Sequence, residues 1–388
     1  MSRHYLDHAS TSPLRDSARI AFNETLALQE SAAIGDPSRI HQEGMHARAL
    51  LEHARSQVAE LLSAKQREIV FTSGATESIA TAVWGAVRRS VDAGRSPRIV
   101  HAAVEHSAVR RSSAQFAHAF GGSVEIVGVD STGRIDSDAF LEQLTPETAL
   151  VHLQWGNHEV GTLQPVKEIA AACRDRNILL HVDAAQAVGR VPITPGELGI
   201  DLLSFSSHKF GGPAGIGALW IRQGLRVEPL ITGGEQERAR RAGLETLAAA
   251  LAFGAAAEEL GNGQLQNEAI TARNSIAIAI DRLTAIDGVT LLGPGDPNQR
   301  LPHLACVAIE GVEPQGVVLG MDRRGIALHS GSSCASEGLE PSPVLEAMGV
   351  DAHRSLRISV GHSTTAEDID ALCDALPDVV SELRSLQT

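Results

Sequence analysis

Long hydrophobic runs are missing from this sequence. No stretch of about eighteen apolar residues occurs in its 388 positions, so no membrane-spanning helix is expected. The start, MSRHYLDHAST, lacks the apolar block of an export signal, which makes the cytoplasm the expected compartment. Cysteine is scarce as well. The four are Cys173, Cys306, Cys334 and Cys373, far apart and without a C-x-x-C pair. That spacing argues against both a zinc site and a disulfide framework, so each thiol needs its own explanation. Positive charge is in deficit: 33 basic against 47 acidic residues give a net charge of -14. Nonspecific binding to nucleic acid or to an anionic membrane is therefore not expected as the main activity, with Arg238, Arg240 and Arg241 as the one local basic patch. No internal repeat and no low-complexity tract is present.

What is there suits a large α/β protein. The length allows two domains, or one large domain with an appendage, and 43% apolar residues can fill a sizeable core. HYLDHAS reads as a short entry strand, 43–62 as an amphipathic helix, and EIVFTS as a strand. RIVHAAVEH (98–106), a helix over 107–120, SVEIVGVD (123–130), TALVHLQW (148–155), a helix near 165–176 and ILLHVDAAQ (178–186) then alternate. Such alternation predicts a mostly parallel sheet covered on both faces, with ligands at the carboxyl ends of its strands. Residues 248–283 read as one long Ala-rich helical connector. Beyond it, strands near 289–293, 304–309 and 325–329 with helices near 315–323, 341–348 and 366–386 predict a smaller α/β domain.

The most informative stretch is LLSFSSHKFGGPAGIGALWIR, 202–222. An apolar strand ends in Ser206-Ser207-His208-Lys209, meets a Gly/Pro cluster, and resumes as a second apolar run. A lysine held at a strand end, with hydroxyls before it and glycines after it, suits a carbonyl cofactor bound as a Schiff base. A solvated lysine capping a turn is the alternative. Other strand ends offer matching groups. Asp183 has the acid needed to keep a pyridine nitrogen protonated, His106 can stack on the ring and relay protons, and Gln186 can bond a ring hydroxyl. Thr76, in the loop Thr72-Ser73-Gly74-Ala75-Thr76 between a strand and a helix, can hold a phosphate together with Ser206 and His208. Taken one at a time, these residues also read as a strand-end cap, a core histidine, a helix residue and an ordinary Ser/Thr-capped turn.

Cys334 lies among Ser, Gly and Ala in SGSSCAS, without an apolar wall, and an exposed thiol is a strong nucleophile as its thiolate. Cys173, Cys306 and Cys373 sit in periodic apolar segments and read as buried small hydrophobes. Arg357, in the apolar strand SLRIS, can clamp a carboxylate or form a structural ion pair.

In order along nearly the whole chain, YLDHAST, FTSGATES, Glu105-His106, HVDAAQ, SSHKFGGPAGIGAL, GGEQER, SGSSCAS with LEPSPVL, and SLRISVG resemble the cysteine desulfurases of the class V aminotransferase fold. The resemblance implies pyridoxal-phosphate fold type I: a large domain over 15–255 with a mostly parallel seven-stranded sheet, and a smaller α/β domain from 1–14 and 256–388 carrying the cysteine loop. It implies pyridoxal 5'-phosphate as cofactor, L-cysteine as substrate, a homodimer, and alanine plus an enzyme persulfide as products, with a sulfur-acceptor protein as partner. Lys209, Cys334 and His106 become the catalytic residues, and Ala75, Thr76, His158, Asp183, Gln186, Ser206 and His208 join Lys209 around the cofactor. Arg357, Asp36 and Asn157 fall to the substrate. The acceptor stays open between iron–sulfur clusters, thiolated RNA and a small metabolite.

Three positions depart from the family's pattern. Gly35-Asp36-Pro37 stands for Gly-Asn-Pro, Asn157-His158-Glu159 for Asn-Asn-Glu, and Arg241-Ala242-Gly243-Leu244 for Arg-Ser-Gly-Thr. Asp36 adds negative charge where a substrate carboxylate is expected. His158 can donate to the ring hydroxyl or to that carboxylate, and Leu244 lacks a hydroxyl expected to reach a partner subunit's phosphate. A divergent desulfurase is the reading adopted. A selenocysteine or C–S lyase of the same fold, and a catalytically weakened scaffold for sulfur-transfer partners, are the alternatives.

Overall fold

Segments rich in Val, Ile and Leu, each closed by turn residues, form the strands of this protein. Its computed structural model describes residues 3–331 and 341–386. In chain order the strands are β1 (His4–Tyr5), β2 (Ile69–Thr72), β3 (Arg98–Ala102), β4 (Ser123–Val127), β5 (Thr148–Gln154) and β6 (Leu179–Asp183). They continue as β7 (Leu202–Ser206), β8 (Gly217–Ile221), β9 (Val289–Leu292), β10 (Leu304–Ile309), β11 (Ile326–Ala327) and β12 (Ser355–Ser359). The alternation expected between residues 98 and 186 is found, with helices Ser107–Ala119 and Val166–Asp175 at their expected places.

Seven strands form the main sheet in the order β2-β8-β7-β6-β5-β3-β4. All neighbouring pairs are parallel except those of β8, which runs antiparallel to both β7 and β2. The cause is local: the Gly/Pro segment after Lys209 is too short for a parallel crossover and turns the chain straight back beside β7. β7 and β8 are buried along their whole length, which is why both read as continuous apolar runs. On one side the Ala-rich helix Leu247–Glu259 packs against helices Asp16–Glu30 and Gln42–Leu61. Small side chains all around it permit that close approach.

The expected single connector is two helices, Leu247–Glu259 and Gln264–Thr284. Asn262 (φ 53°) and Gly263 (φ 87°) take left-handed conformations between them, which ends the first helix. The second helix turns Ala272, Ile276, Ala279 and Leu283 into a separate core shared with Val307, Met321, Leu356 and Leu372. This core covers the antiparallel sheet β12-β10-β9. Leu6 belongs to it as well, because β1 pairs in parallel with β11. The entry strand is thus only two residues long, and the strand expected at 325–329 shrinks to Ile326–Ala327. Among the described residues no helix is long and apolar enough to cross a membrane.

Candidate active site

β5, β6 and β7 end side by side. Gln154 pairs with Asp183, and Asp183 with Ser204, so one row of polar groups closes the carboxyl edge of the sheet. A cavity of about 470 Å³ opens there. Its wall takes in Ala75, Thr76, His106, His158, Asp183, Gln186, Ser206, His208, Lys209 and Arg357, ten of the residues expected from the sequence.

Lys209 ends a single 3-10 turn, Ser207–Lys209, that follows β7 directly. Its Nζ donates to the carbonyls of Ala9 (2.7 Å) and Ser10 (2.9 Å). Burial, helped by the nearby Arg357 charge, pushes the amine down to about 8, and Asp7 and Asp183 only partly oppose this. At the end of β6, the Asp183 Oδ1 accepts the Ala185 N–H at 3.0 Å, and burial raises its carboxyl above the usual range. A cation placed against it would restore the carboxylate.

At the opposite end, Gly74 precedes the helix Ala75–Asp92, and no side chain caps that helix. The Ser/Thr-capped turn is therefore not what forms; the first N–H groups are left for a ligand. Thr72 Oγ1 and Ser78 Oγ, 2.8 Å apart, tie the loop across its base. Gly217 lets it sit so close: a Cβ there would stand 2.6 Å from the Phe205 carbonyl oxygen and 2.7 Å from Gly74 Cα.

His106 caps the helix Ser107–Ala119, its Nδ1 accepting the Ala108 N–H at 3.1 Å, so its proton is on Nε2. Burial first, then the neighbouring His158 and Lys209, hold its pKa down at about 3. Its ring meets His158 edge-on, with centroids 5.2 Å apart. His208 Nδ1 lies 3.2 Å from Thr11 Oγ1, and burial beside Lys209 lowers it to about 4. Gln186 donates to the Ala9 carbonyl (2.8 Å) while its Oε1 faces His303 Nε2 (3.3 Å). Arg357 makes the structural ion pair that was one of its two readings. It lines the cavity and also reaches Asp7 Oδ1 (2.9 Å), Ser10 Oγ (2.7 Å) and the His158 carbonyl (2.8 Å).

Two expected residues are not in the wall. The Asp36 carboxylate is turned onto its own turn, accepting from Ser38 N (2.8 Å) and Ser38 Oγ (2.7 Å) and pairing with Arg39. Asn157 is fully buried. Its Oδ1 accepts the N–H groups of Glu159 (2.8 Å) and Val160 (2.9 Å) and its Nδ2 reaches the Val104 carbonyl (3.3 Å), so the side chain builds the turn after β5. Cys334 lies outside the described residues. Cys173, Cys306 and Cys373 are buried free thiols as expected, and burial pushes the first two up to about 12. The basic patch is already engaged: Arg238 pairs with Glu52, Arg241 with Glu77, and Arg240 donates to the Arg67 carbonyl. Leu244 is 61% exposed.

Four polar residues of the site were not given roles from the sequence: Asp7 and Ser10, which hold Arg357, and the buried carboxyls Glu105 and Glu159. Glu105 Oε1 accepts the Gln154 N–H at 2.8 Å, and burial raises its carboxyl to about 8. The only signal was position, since Asp7 and Ser10 lie within YLDHAST and each glutamate is next to a cavity histidine.

A lysine, an acid and an uncapped helix end around one cavity at the edge of such a sheet define a class, and comparison supports it: residues 4–372 match the aminotransferase class-V family, to which this chain belongs. More particularly, it is 40% identical over 395 residues to a protein named cysteine desulfurase from Cereibacter sphaeroides, covering 100% of this chain and 98% of that one. It is 37% identical to cysteine desulfurase IscS 1 of Archaeoglobus fulgidus, covering 98% of both chains. A solved structure described as a NIFS-like protein superposes with a TM-score of 0.88 at 29% identity, covering 98% of this chain and 100% of that one. The family and fold expected from the motifs therefore hold.

Proposed function

We propose that this chain is a cysteine desulfurase, which takes L-cysteine to L-alanine and passes the sulfur through a persulfide on Cys334 to an acceptor protein. The observation that carries the reading is the convergence of the Lys209 amine, the Asp183 carboxyl and the uncapped Ala75 helix end on one cavity. Pyridoxal 5'-phosphate fits this donor set. The helix end with Thr76, Ser206 and His208 suits its phosphate, Asp183 its ring nitrogen, Lys209 its aldehyde, and Gln186 and His158 its ring hydroxyl side. Arg357 Nε is buried without a hydrogen-bond partner among the described residues, a donor left over for a substrate carboxylate.

When bound, the cofactor supplies an electron sink that acidifies the substrate α-carbon. The residues do the rest. Asp183 keeps the ring nitrogen protonated. Lys209, brought to about 8 by burial, is basic enough to take the α-proton and neutral often enough to do so. His106 presents its Nε2–H as a proton donor. The Cys334 thiolate attacks the substrate sulfur, the carbon–sulfur bond breaks toward carbon, and protonation of that carbon releases alanine. Residues 15–255 would carry the cofactor, while 1–14 and 256–388 would carry Arg357 and Cys334. The working form is a cytoplasmic homodimer.

The purified protein with pyridoxal phosphate should form alanine from cysteine and a thiol, with one sulfur added to Cys334 by mass spectrometry. Borohydride should fix the cofactor to Lys209 rather than to Lys65 or Lys167, the other lysines of the chain. Cys334→Ala should lose cysteine turnover, whereas a selenocysteine or β-elimination lyase would keep activity. Absence of alanine, with candidate acceptors present, would refute the proposal.

A further inference from the structure

Two buried arginines, Arg15 and Arg190, meet the main chain that carries the cavity lysine. Of the four successive carbonyls from His208 to Gly211, that of His208 accepts the Ser12 N–H (2.9 Å), that of Phe210 the Arg15 Nε–H (2.7 Å) and that of Gly211 the Arg15 N–H (2.8 Å). The Lys209 carbonyl takes two donors, Arg190 Nη2 at 2.6 Å and Ser12 Oγ at 3.1 Å. Close packing permits this: a Cβ at Gly189 (φ 76°) would stand 2.5 Å from Phe210 Cβ. The turn after β6 thus bears Asp183, Gln186 and Arg190 together and is pressed against the lysine segment. The two arginines differ in charge balance. Arg15 pairs with Glu259 (2.7 Å) and Glu268 (2.6 Å), whereas the hydrogen bonds of Arg190 go to neutral oxygens, those of Ser12 and Lys209. A buried cation so placed is costly, and burial together with the Arg15 charge lowers even this guanidinium from 12.5 to about 10.

We propose that Arg190 is a positioning residue for Lys209, holding the lysine's own carbonyl and standing near it as a fixed positive charge inside the fold. The hold on the carbonyl is independent of the reaction; its use in catalysis rests on the desulfurase reading. Two effects follow. A lysine whose carbonyl is clamped swings from one fixed point, so its amine reaches one place in the cavity. A buried cation also disfavours a second one nearby, which adds to burial and to Arg357 in keeping the amine partly neutral at pH 7, the form that takes a proton. The other groups facing the amine are Asp7, Asp183 and Arg357, with the imidazoles of His106, His208, His303 and His329. Burial holds all four imidazoles below the ordinary histidine range, so they are neutral where the amine titrates. Around Arg190 stand Arg15, Glu268 and the imidazoles of His8 and His362, both also lowered by burial. Arg190 itself stays charged through the lysine's midpoint at about 8 and loses its proton only at about 10.

The test uses cofactor-free, full-length protein and competitive acetylation by acetic anhydride from about pH 6 to about pH 10.5, each lysine being read by mass spectrometry. Lys65 and Lys167 serve as internal references. Arg190→Met should raise the Lys209 midpoint by about half a pH unit or more. Arg190→Lys, which restores the charge, should return it most of the way to the wild-type value. Ser12→Ala removes the other donor to the Lys209 carbonyl but leaves the charge, and should move the midpoint less than Arg190→Met. Half a pH unit is about threefold in the neutral fraction at pH 7, so in the reconstituted enzyme kcat for alanine formation should fall about threefold in Arg190→Met and recover as pH rises, with KM for cysteine changed less. An unchanged Lys209 midpoint in Arg190→Met would overturn the proposal. If that variant does not fold, Arg190→Gln, which keeps a carbonyl donor without the charge, gives the same reading. A shift in Ser12→Ala as large as in Arg190→Met, or no recovery in Arg190→Lys, would reduce Arg190 to a structural prop and overturn it too. A wild type that makes no alanine would sink the desulfurase reading and leave the lysine titration standing.

Discussion

Replacing the cavity lysine should make the cofactor-free protein more stable. Burial lowers Lys209 from 10.5 to about 8, and at about 1.4 kcal/mol per pH unit this is a penalty of about 3 kcal/mol for carrying the charge inside the fold. Lys209→Met removes the charge and keeps most of the volume. It also removes two hydrogen bonds. The Ala9 carbonyl keeps Gln186, but the Ser10 carbonyl loses the Nζ donor, at a cost of about 1 kcal/mol. The net expectation is a gain of about 2 kcal/mol at pH 7. Below about pH 8 the lysine is charged in both the folded and the unfolded chain, so the full penalty applies. Between about 8 and 10.5 the folded protein releases the proton while the unfolded chain keeps it, so wild-type stability rises with pH and the advantage of Lys209→Met shrinks. Urea unfolding of both proteins across this range isolates the effect, because every other titrating group is common to them. A variant no more stable than wild type at pH 7, or an advantage as large at pH 10 as at pH 7, would refute the reasoning.

Other residues give expectations of different kinds. Glu237, in a left-handed conformation (φ 49°), is bidentate to the buried Arg55 at 2.5 and 2.9 Å. Glu237→Ala should therefore cost about 1.5–3 kcal/mol, read as a lower urea midpoint, since it removes the buried bidentate partner and leaves the guanidinium only Glu52 at its Nε as a counter-charge. Gly217→Ala drives a methyl group into the Phe205 carbonyl and Gly74 and should cost about 1–3 kcal/mol, with weaker retention of pyridoxal phosphate on dialysis. Asp183→Asn removes one charge-assisted bond of about 1.5–3 kcal/mol, so fluorescence titration should show pyridoxal phosphate bound at least about tenfold more weakly.

Much of the layout was readable because this sheet keeps its chemistry at strand ends. The apolar runs of β5, β6 and β7 each stop at a polar residue, and those residues converge once the strands lie in register. What stayed hidden depends on distance or on local geometry. Nothing near Asp7 announces that Arg357 will pair with it, 350 residues away. Glu159 and Ser342 are likewise joined only by folding. The local bonds of Asp36 and Asn157 were equally unannounced, although short acidic and amide side chains readily bond the backbone of their own turn. The break at 261–263 is carried by Gly261-Asn262-Gly263, a turn signal in the sequence itself that the helix formers on both sides outweighed. The reversal into β8 follows from loop length, which apolar patterning does not reveal.

The guanidinium that joins Asp7, Ser10 and the His158 carbonyl has an implication for synthesis. Arg357 leaves the ribosome long after Lys209 and almost all of the main sheet have emerged. Until it arrives, the amino-terminal segment that supplies the Ala9 and Ser10 carbonyls to the lysine lacks one of its anchors. A nascent chain can therefore build its scaffold early, yet it acquires a finished pocket only once residue 357 has emerged.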